Sequence, residues 1–191
     1  TTLTYTPNRQ VDTLTVTPIQ GGGKTLITET DYNGYGLPTL VKTYESGTSD
    51  IRQVSTTYSN DGNNQSADGY FPYVITNDFN HRITTQTSPQ FGLPLSLTDA
   101  NGLVTTTDYD AFGRVEKLTP PANTGQPVLM RYEWCEGGCD GITDSNILYK
   151  VTSFQANSPQ TTEYKDPFNR TLMTSSESFD GSPVYSQVDY D

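Results

Sequence analysis

The chain has 191 residues, 11 Lys+Arg against 22 Asp+Glu, and a net charge of −11. Such a charge excludes a binder of phosphate backbones, which needs a basic stripe, and no apolar run reaches the roughly 18 residues of a membrane-spanning helix. Only 32% of residues are hydrophobic, while 31 are Thr, 13 Tyr and 7 Phe, a strand-forming composition with little aliphatic material for a thick core.

Almost no stretch has helical periodicity. Short alternating runs lie between Gly, Pro, Asn and Asp clusters, which is the hairpin signature. There is no initiator Met and no basic-then-apolar leader, so the chain reads as an excised or processed piece. The first 24 or so residues match the repeating unit described below only loosely, through Tyr5 and Asn8-Arg9. Gly21-Gly22-Gly23-Lys24 reads as a hairpin tip; it lacks the Gly-x4-Gly-Lys-Ser/Thr spacing and the following helix of a phosphate loop. Tyr32-Asn33-Gly34-Tyr35-Gly36-Leu37 is a turn built of aromatic, small and Gly residues. Residues 59 to 70 form a longer insertion with Asp61, Asn63, Gln65 and Asp68. Calcium favours clustered oxygens, but the Gly and terminal Glu of an EF-hand are missing, and a solvated acidic loop is the reading adopted. Asp78-Phe79-Asn80-His81-Arg82 is a further turn. His81 is the one imidazole and reads as an exposed strand residue rather than a base.

Phe91-Gly92-Leu93 opens the clearest hairpin. Leu93, Leu95 and Leu97 share one face of a strand, and Leu103, Thr105, Thr107 and Tyr109 share a face of the next. Between them Asp99-Ala100-Asn101-Gly102 supplies the positive φ of a tight turn. Tyr109-Asp110-Ala111-Phe112-Gly113-Arg114 follows, and a new strand starts at Val115. Cys135 and Cys139 lie in a Gly-rich insertion, 135 to 146, with Asp140, Asp144 and Asn146. Two thiols and one distant imidazole fall short of the four ligands of a zinc site. A disulfide in an oxidising compartment and a turn with two partly buried thiols both fit the spacing. Tyr164, Asp166-Pro167-Phe168-Asn169-Arg170 repeat the earlier turn, with Asn for Gly at the position that needs left-handed φ. Asp180-Gly181, Tyr185, Val188 and Tyr190-Asp191 repeat the hairpin again and stop inside the motif. The unit is aromatic-Gly-Arg/Leu, strand, Asx-Gly turn, strand, Tyr-Asp. Asp110 and Arg114, Asp166 and Arg170, and Asp78 and Arg82 straddle turns as ion pairs of a structural kind.

Such units cannot bury their own aromatic face, and stacking neighbours supplies the burial. The fold class is therefore all-β: an extended antiparallel strip of a dozen or more strands. Phe112 is expected to pack against a neighbouring hairpin and Gly113 to take positive φ. Leu3–Thr6 and Tyr185–Asp189 are expected as unpaired strand edges, leaving a monomer or weak edge-paired dimer.

The motif at 91 to 118 resembles the tyrosine-aspartate repeat of RHS proteins, whose relatives include toxin-complex B and C components and teneurins. Tyr32, Tyr35, Gly36, Tyr164, Asp166, Phe168, Asn169 and Arg170 carry weaker copies beside Phe91, Gly92, Tyr109, Asp110, Phe112, Gly113 and Arg114. The resemblance implies a β-ribbon spiralling into a hollow shell, with residues 1–191 an internal wall segment of a much larger bacterial protein. It implies secretion or surface display and a non-enzymatic role in enclosing and delivering a toxin domain. Its partners would be neighbouring repeats and that toxin, with no nucleic acid. Self-cleavage at the shell's end uses an Asp-Pro-x-Gly-Leu signature; Asp166-Pro167 continues as Phe-Asn-Arg, so it is not carried over. The alternative is an adhesin module that binds carbohydrate or a receptor through exposed Tyr. A glycosidase would need two facing carboxylates, and no such pair is marked by the sequence. No metal or cofactor is implied.

Overall fold

The computed structural model describes residues 1–18, 23–58, 69–135, 138–188 and 190. Residues 59–68 of the long insertion, with Asp61, Asn63, Gln65 and Asp68, lie outside the described residues, as do Gly21, Gly22, Asp189 and Asp191. Among the described residues every regular element is a strand: β1 (Thr2–Tyr5), β2 (Val11–Val16), β3 (Leu26–Tyr32), β4 (Pro38–Glu45), β5 (Ile51–Thr57), β6 (Val74–Asn77), β7 (Arg82–Thr87), β8 (Pro94–Thr98), β9 (Val104–Tyr109), β10 (Val115–Thr119), β11 (Val128–Trp134), β12 (Tyr149–Gln155), β13 (Thr161–Lys165), β14 (Thr171–Glu177) and β15 (Pro183–Gln187). The all-β strip read from the Thr/Tyr alternation is the observed architecture.

The chain divides into two compact units, Thr1–Val104 and Thr105–Asp191. In the first, β1 to β8 each pair antiparallel with their sequence neighbours. In the second, β9 to β15 do the same. Strictly sequential antiparallel pairing sorts the connections by edge. In the first unit β1–β2, β3–β4 and β7–β8 turn at one edge, and β4–β5 and β6–β7 at the other. In the second unit β9–β10, β11–β12 and β13–β14 share an edge.

Little is buried, because a single sheet has no second layer to bury against. Ile51 and Val54 lie on opposite faces of β5 and both are exposed. The first unit buries Tyr58 and Val74; the second buries Cys135, Cys139, Ile147 and Tyr164, the last only 2% exposed. Cross-strand hydroxyl pairs join strands instead. Thr28 faces Thr43 at 3.2 Å between Oγ1 atoms, and Thr152 faces Thr162 at 3.3 Å. Directly opposed Thr pairs of this kind are sheet-stabilising.

Candidate functional site

The repeating feature is a five-residue turn. It spans residues 6–10, 33–37, 77–81, 99–103, 110–114, 166–170 and 178–182. In each, the first residue's N–H donates to the fifth residue's carbonyl, and the fourth residue's N–H donates to the first residue's carbonyl; for 110–114 these bonds are 2.9 and 3.0 Å. The fourth residue has positive φ throughout: Arg9 62°, Gly36 81°, Asn80 57°, Gly102 79°, Gly113 78°, Asn169 64° and Gly181 83°. This is a type I turn followed by a left-handed residue, the geometry of three-residue hairpin loops. Register shifts beside the turns in β1, β3, β10 and β13 mark the accompanying bulge. The connection Ser88–Leu93 is one residue longer and closes through Ser88 N–H to Leu93 C=O, with Gly92 at φ 68°. Phe91 and Gly92 therefore sit in a stretched form of the same turn.

The first residue's side chain holds the turn open to its backbone donors. Asp110 Oδ1 accepts the N–H groups of Phe112 and Arg114, both at 2.9 Å, and Asp166 Oδ1 accepts those of Phe168 and Arg170 at 2.9 and 2.8 Å. Asn33, Asn77 and Asp99 make the same pair of bonds. Asn77, not Asp78, heads its turn; Asp78 Oδ1 instead accepts the N–H of Gln53 at 2.6 Å. That turn also lies at the opposite edge of its unit from 33–37, so Asp78 and Arg82 are not the third copy of the ion pair. His81 is exposed, its Nδ1 3.4 Å from Asn77 Nδ2.

Where Asp stands first and Arg fifth, a charge pair is added. Arg114 Nε donates to Asp110 Oδ2 at 2.7 Å, and Arg170 Nε to Asp166 Oδ2 at 2.7 Å. Desolvation pushes both carboxyl groups up, but the Arg backbone N–H, the guanidinium and the Phe N–H outweigh it and hold each pKa below the usual value. The expected burial of Phe112 is overturned: it is 81% exposed, and Phe168 is 79% exposed. The third position of the turn lies past the last rung of the ladder, where no neighbouring hairpin reaches. The ring meets only the guanidinium of its own turn's Arg and is otherwise open to solvent. The Arg114 guanidinium stands 5.2 Å from the Phe112 ring and 4.3 Å from that of Tyr132; Arg170 stands 5.4 Å from Phe168 and 5.0 Å from Tyr190.

A Tyr at or just past the end of a strand supplies a bond that the sequence did not disclose. Tyr32 OH donates to Val11 C=O at 2.7 Å, Tyr58 OH to Pro38 C=O at 2.9 Å and Tyr190 OH to Thr171 C=O at 3.0 Å. Each acceptor is the first residue after the preceding turn on the same edge. The phenol thus adds a rung to the ladder where backbone pairing stops. Tyr35, at the third position of its turn, stacks with Tyr70 at 5.0 Å. Tyr164 is not a latch of this kind. Lys165 takes that place, with Nζ on Thr171 Oγ1 at 2.6 Å, and Tyr164 points into the core.

In the second unit the β11–β12 connection replaces the turn with an insertion. Cys135 and Cys139 form a disulfide, which decides between the two readings of their spacing. Asp140 Oδ1 accepts from Lys150 Nζ at 2.7 Å and its Oδ2 from Tyr164 OH at 2.9 Å. The Lys150 bond, helped by Tyr164, lowers the Asp140 pKa against some desolvation. Asp144 Oδ1 accepts from the backbone and side chain of Asn146. These oxygens face protein donors, and among the described residues no group of three His, Cys, Asp or Glu is placed to hold a metal. On one face of this unit Trp134 stands edge-on to Tyr149 with ring centroids 6.0 Å apart. With Arg114, Tyr132 and Val151 they line a groove of about 660 Å³.

No helix among the described residues is long and apolar enough to cross a membrane. No curated protein matches the chain. Residues 91–124, which take in the end of the stretched turn from Phe91, the 99–103 turn and the Tyr109–Arg114 turn, match the RHS Repeat family model, and this match supports an RHS/YD-repeat protein.

Proposed function

We propose that the chain is a wall segment of an RHS shell, a non-enzymatic structural element of a larger secreted or surface protein that encloses a toxin domain. The observation that carries this reading is the latch-and-turn edge: at three places a Tyr phenol ties a strand end back to the residue that follows the preceding turn on the same edge, so hairpins add in series without needing a second layer. A thin sheet with apolar residues on both faces suits a wall that has an inside and an outside. Its partners in this reading are neighbouring repeats and the enclosed domain. The test is limited proteolysis of the chain joined to the polypeptide its gene encodes downstream. That polypeptide is expected to resist cleavage when the strip is intact; equal cleavage rates with and without the strip would defeat the reading.

The second reading is a carbohydrate-binding surface module, favoured by the groove beside Trp134, which is 70% exposed. Aromatic faces with flanking polar groups are what a pyranose ring stacks on. A glycan array separates the two: retention of a defined glycan that disappears in Trp134→Ala favours the module, and no retention favours the wall.

A further inference from the structure

The β11–β12 insertion does something that no repeat turn does: it folds back over the sheet. Cys139 N–H donates to Ile142 C=O at 3.1 Å and Ile142 N–H to Cys139 C=O at 2.7 Å. Asp140 and Gly141 form the tip between them with φ of 51° and 81°, the two positive values of a tight primed turn. The disulfide anchors this small hairpin to Cys135 at the end of β11, whose N–H donates to Leu148 C=O at 2.9 Å. So placed, the Asp140 carboxylate reaches Lys150 on β12 and the Tyr164 hydroxyl on β13. Cys135, Cys139, Ile147 and Tyr164 form one buried cluster, with Ile142, Leu172 and Met173 packed against it. The two sulfurs are thus part of the very small core of this unit, and they cover its most buried side chain.

We infer that the Cys135–Cys139 disulfide is a redox latch: its reduction by a thiol or dithiol frees the hairpin around Asp140 and uncovers Tyr164 while the strands stay paired. The step is a thiol–disulfide exchange. Two thiol groups of the reductant become a disulfide, and Cys135 and Cys139 each take up a proton and become free thiols. No other bond changes. The open state then gains the chain freedom that a five-residue closure had removed, which favours opening by about 30-fold. What opposes opening is the Asp140–Lys150 and Asp140–Tyr164 contacts and the packing of Ile142. What does not change is the backbone ladder of β11 with β12 and of β12 with β13, each paired along its length. The inference rests on the geometry of this unit and stands apart from the wall reading. If both hold, a wall segment loosens locally on passing from an oxidising to a thiol-rich compartment.

The test is amide hydrogen exchange on the whole chain before and after reduction with a phosphine or dithiol, without denaturant, with alkylation and mass measurement to count the freed thiols. Exchange is expected to rise by roughly the same 30-fold at residues 138–147, and the Tyr164 ring to become open to nitration by tetranitromethane, with the amides of β13, β14 and β15 unchanged because their ladder stays paired. Cys135→Ser/Cys139→Ser is expected to reproduce the reduced pattern. Asp140→Asn, with the disulfide intact, is expected to leave residues 138–148 protected while loosening Tyr164. Three results overturn the inference: a disulfide that resists reduction in the folded protein, unchanged exchange after full reduction, or loss of protection throughout β9 to β15. The last would make the disulfide a staple for the whole unit instead of a latch.

Discussion

At the fourth position of the turn the backbone is left-handed, and Gly, Asn or, once, Arg9 occupies it. Gly113→Val places a β-branched residue at φ 78° and is expected to cost about 2–3 kcal/mol in urea unfolding. Gly113→Asn is expected to stay within about 1 kcal/mol, because Asn80 and Asn169 already adopt this geometry; equal losses for the two would show that space, not backbone conformation, selects Gly there. At the first position Asp and Asn are interchangeable as acceptors for the two backbone donors, but only Asp pairs with Arg. Asp166→Asn should therefore lower the melting temperature less than Asp166→Ala. The depressed pKa values of Asp110, Asp140, Asp166 and Asp180 fix the sign of the acid response. Unfolding raises these values, so the unfolded chain binds more protons between the folded pKa values and about 3.9. The stability they contribute is complete above about pH 5 and falls as pH drops below about 4. Melting curves at pH 7, 5, 4 and 3 check this, and a constant melting temperature across the last two would refute it.

At the scale of the hairpin, Tyr32 and Asn33 have separate duties: one bonds backward across the sheet, the other shapes the turn ahead. Tyr32→Phe removes only the phenolic rung to Val11 and is expected to cost about 1 kcal/mol with hydrogen exchange rising near the 6–10 and 33–37 turns. Much of this element was legible beforehand. Asp110 with Gly113, and Asp166 with Asn169, announce themselves because their chemistry is scarce: an acceptor three residues before a left-handed position. The turn at 6–10 was hidden, since Thr6 heads it with a hydroxyl and Arg9 takes a conformation its side chain does not advertise; the turns near Asp78 and Asp180 were legible, but their first residues, Asn77 and Ser178, were not. Phe112 was misread because an aromatic between strands suggests packing, whereas its place in the turn puts it beyond the ladder, with Arg114 as its neighbour and most of the ring in solvent. The backward reach of Tyr58 and Tyr190 depends on strand order, which the local sequence does not contain.

Over the whole molecule, charge and edges act against each other. β1 closes the strip of the first unit and β15 that of the second, and both are exposed along their length. Unpaired edges invite pairing with another chain; Pro183 at the start of β15 and a net charge of −11 resist it. Repulsion of this kind is screened within about 10 Å at 0.1 M salt. Sedimentation velocity is expected to show a monomer at low salt and growing self-association as salt rises; association that falls with salt would mean that charge holds copies together. The sequence indicated the strip but not its division into two units, because the pairing pattern is the same on both sides of Val104.

Pairing of each strand with its sequence neighbour also sets the order of assembly. Each hairpin closes over a short length of chain, so the entropy of bringing distant segments together is never incurred, and topologies rich in local contacts fold fast. A strip wired in this way forms progressively from the end that emerges first, whether from a ribosome or a translocation pore. Tyr32, Tyr58 and Tyr190 each tie back to a residue that follows a turn earlier in the chain, so these latches need nothing that has yet to emerge.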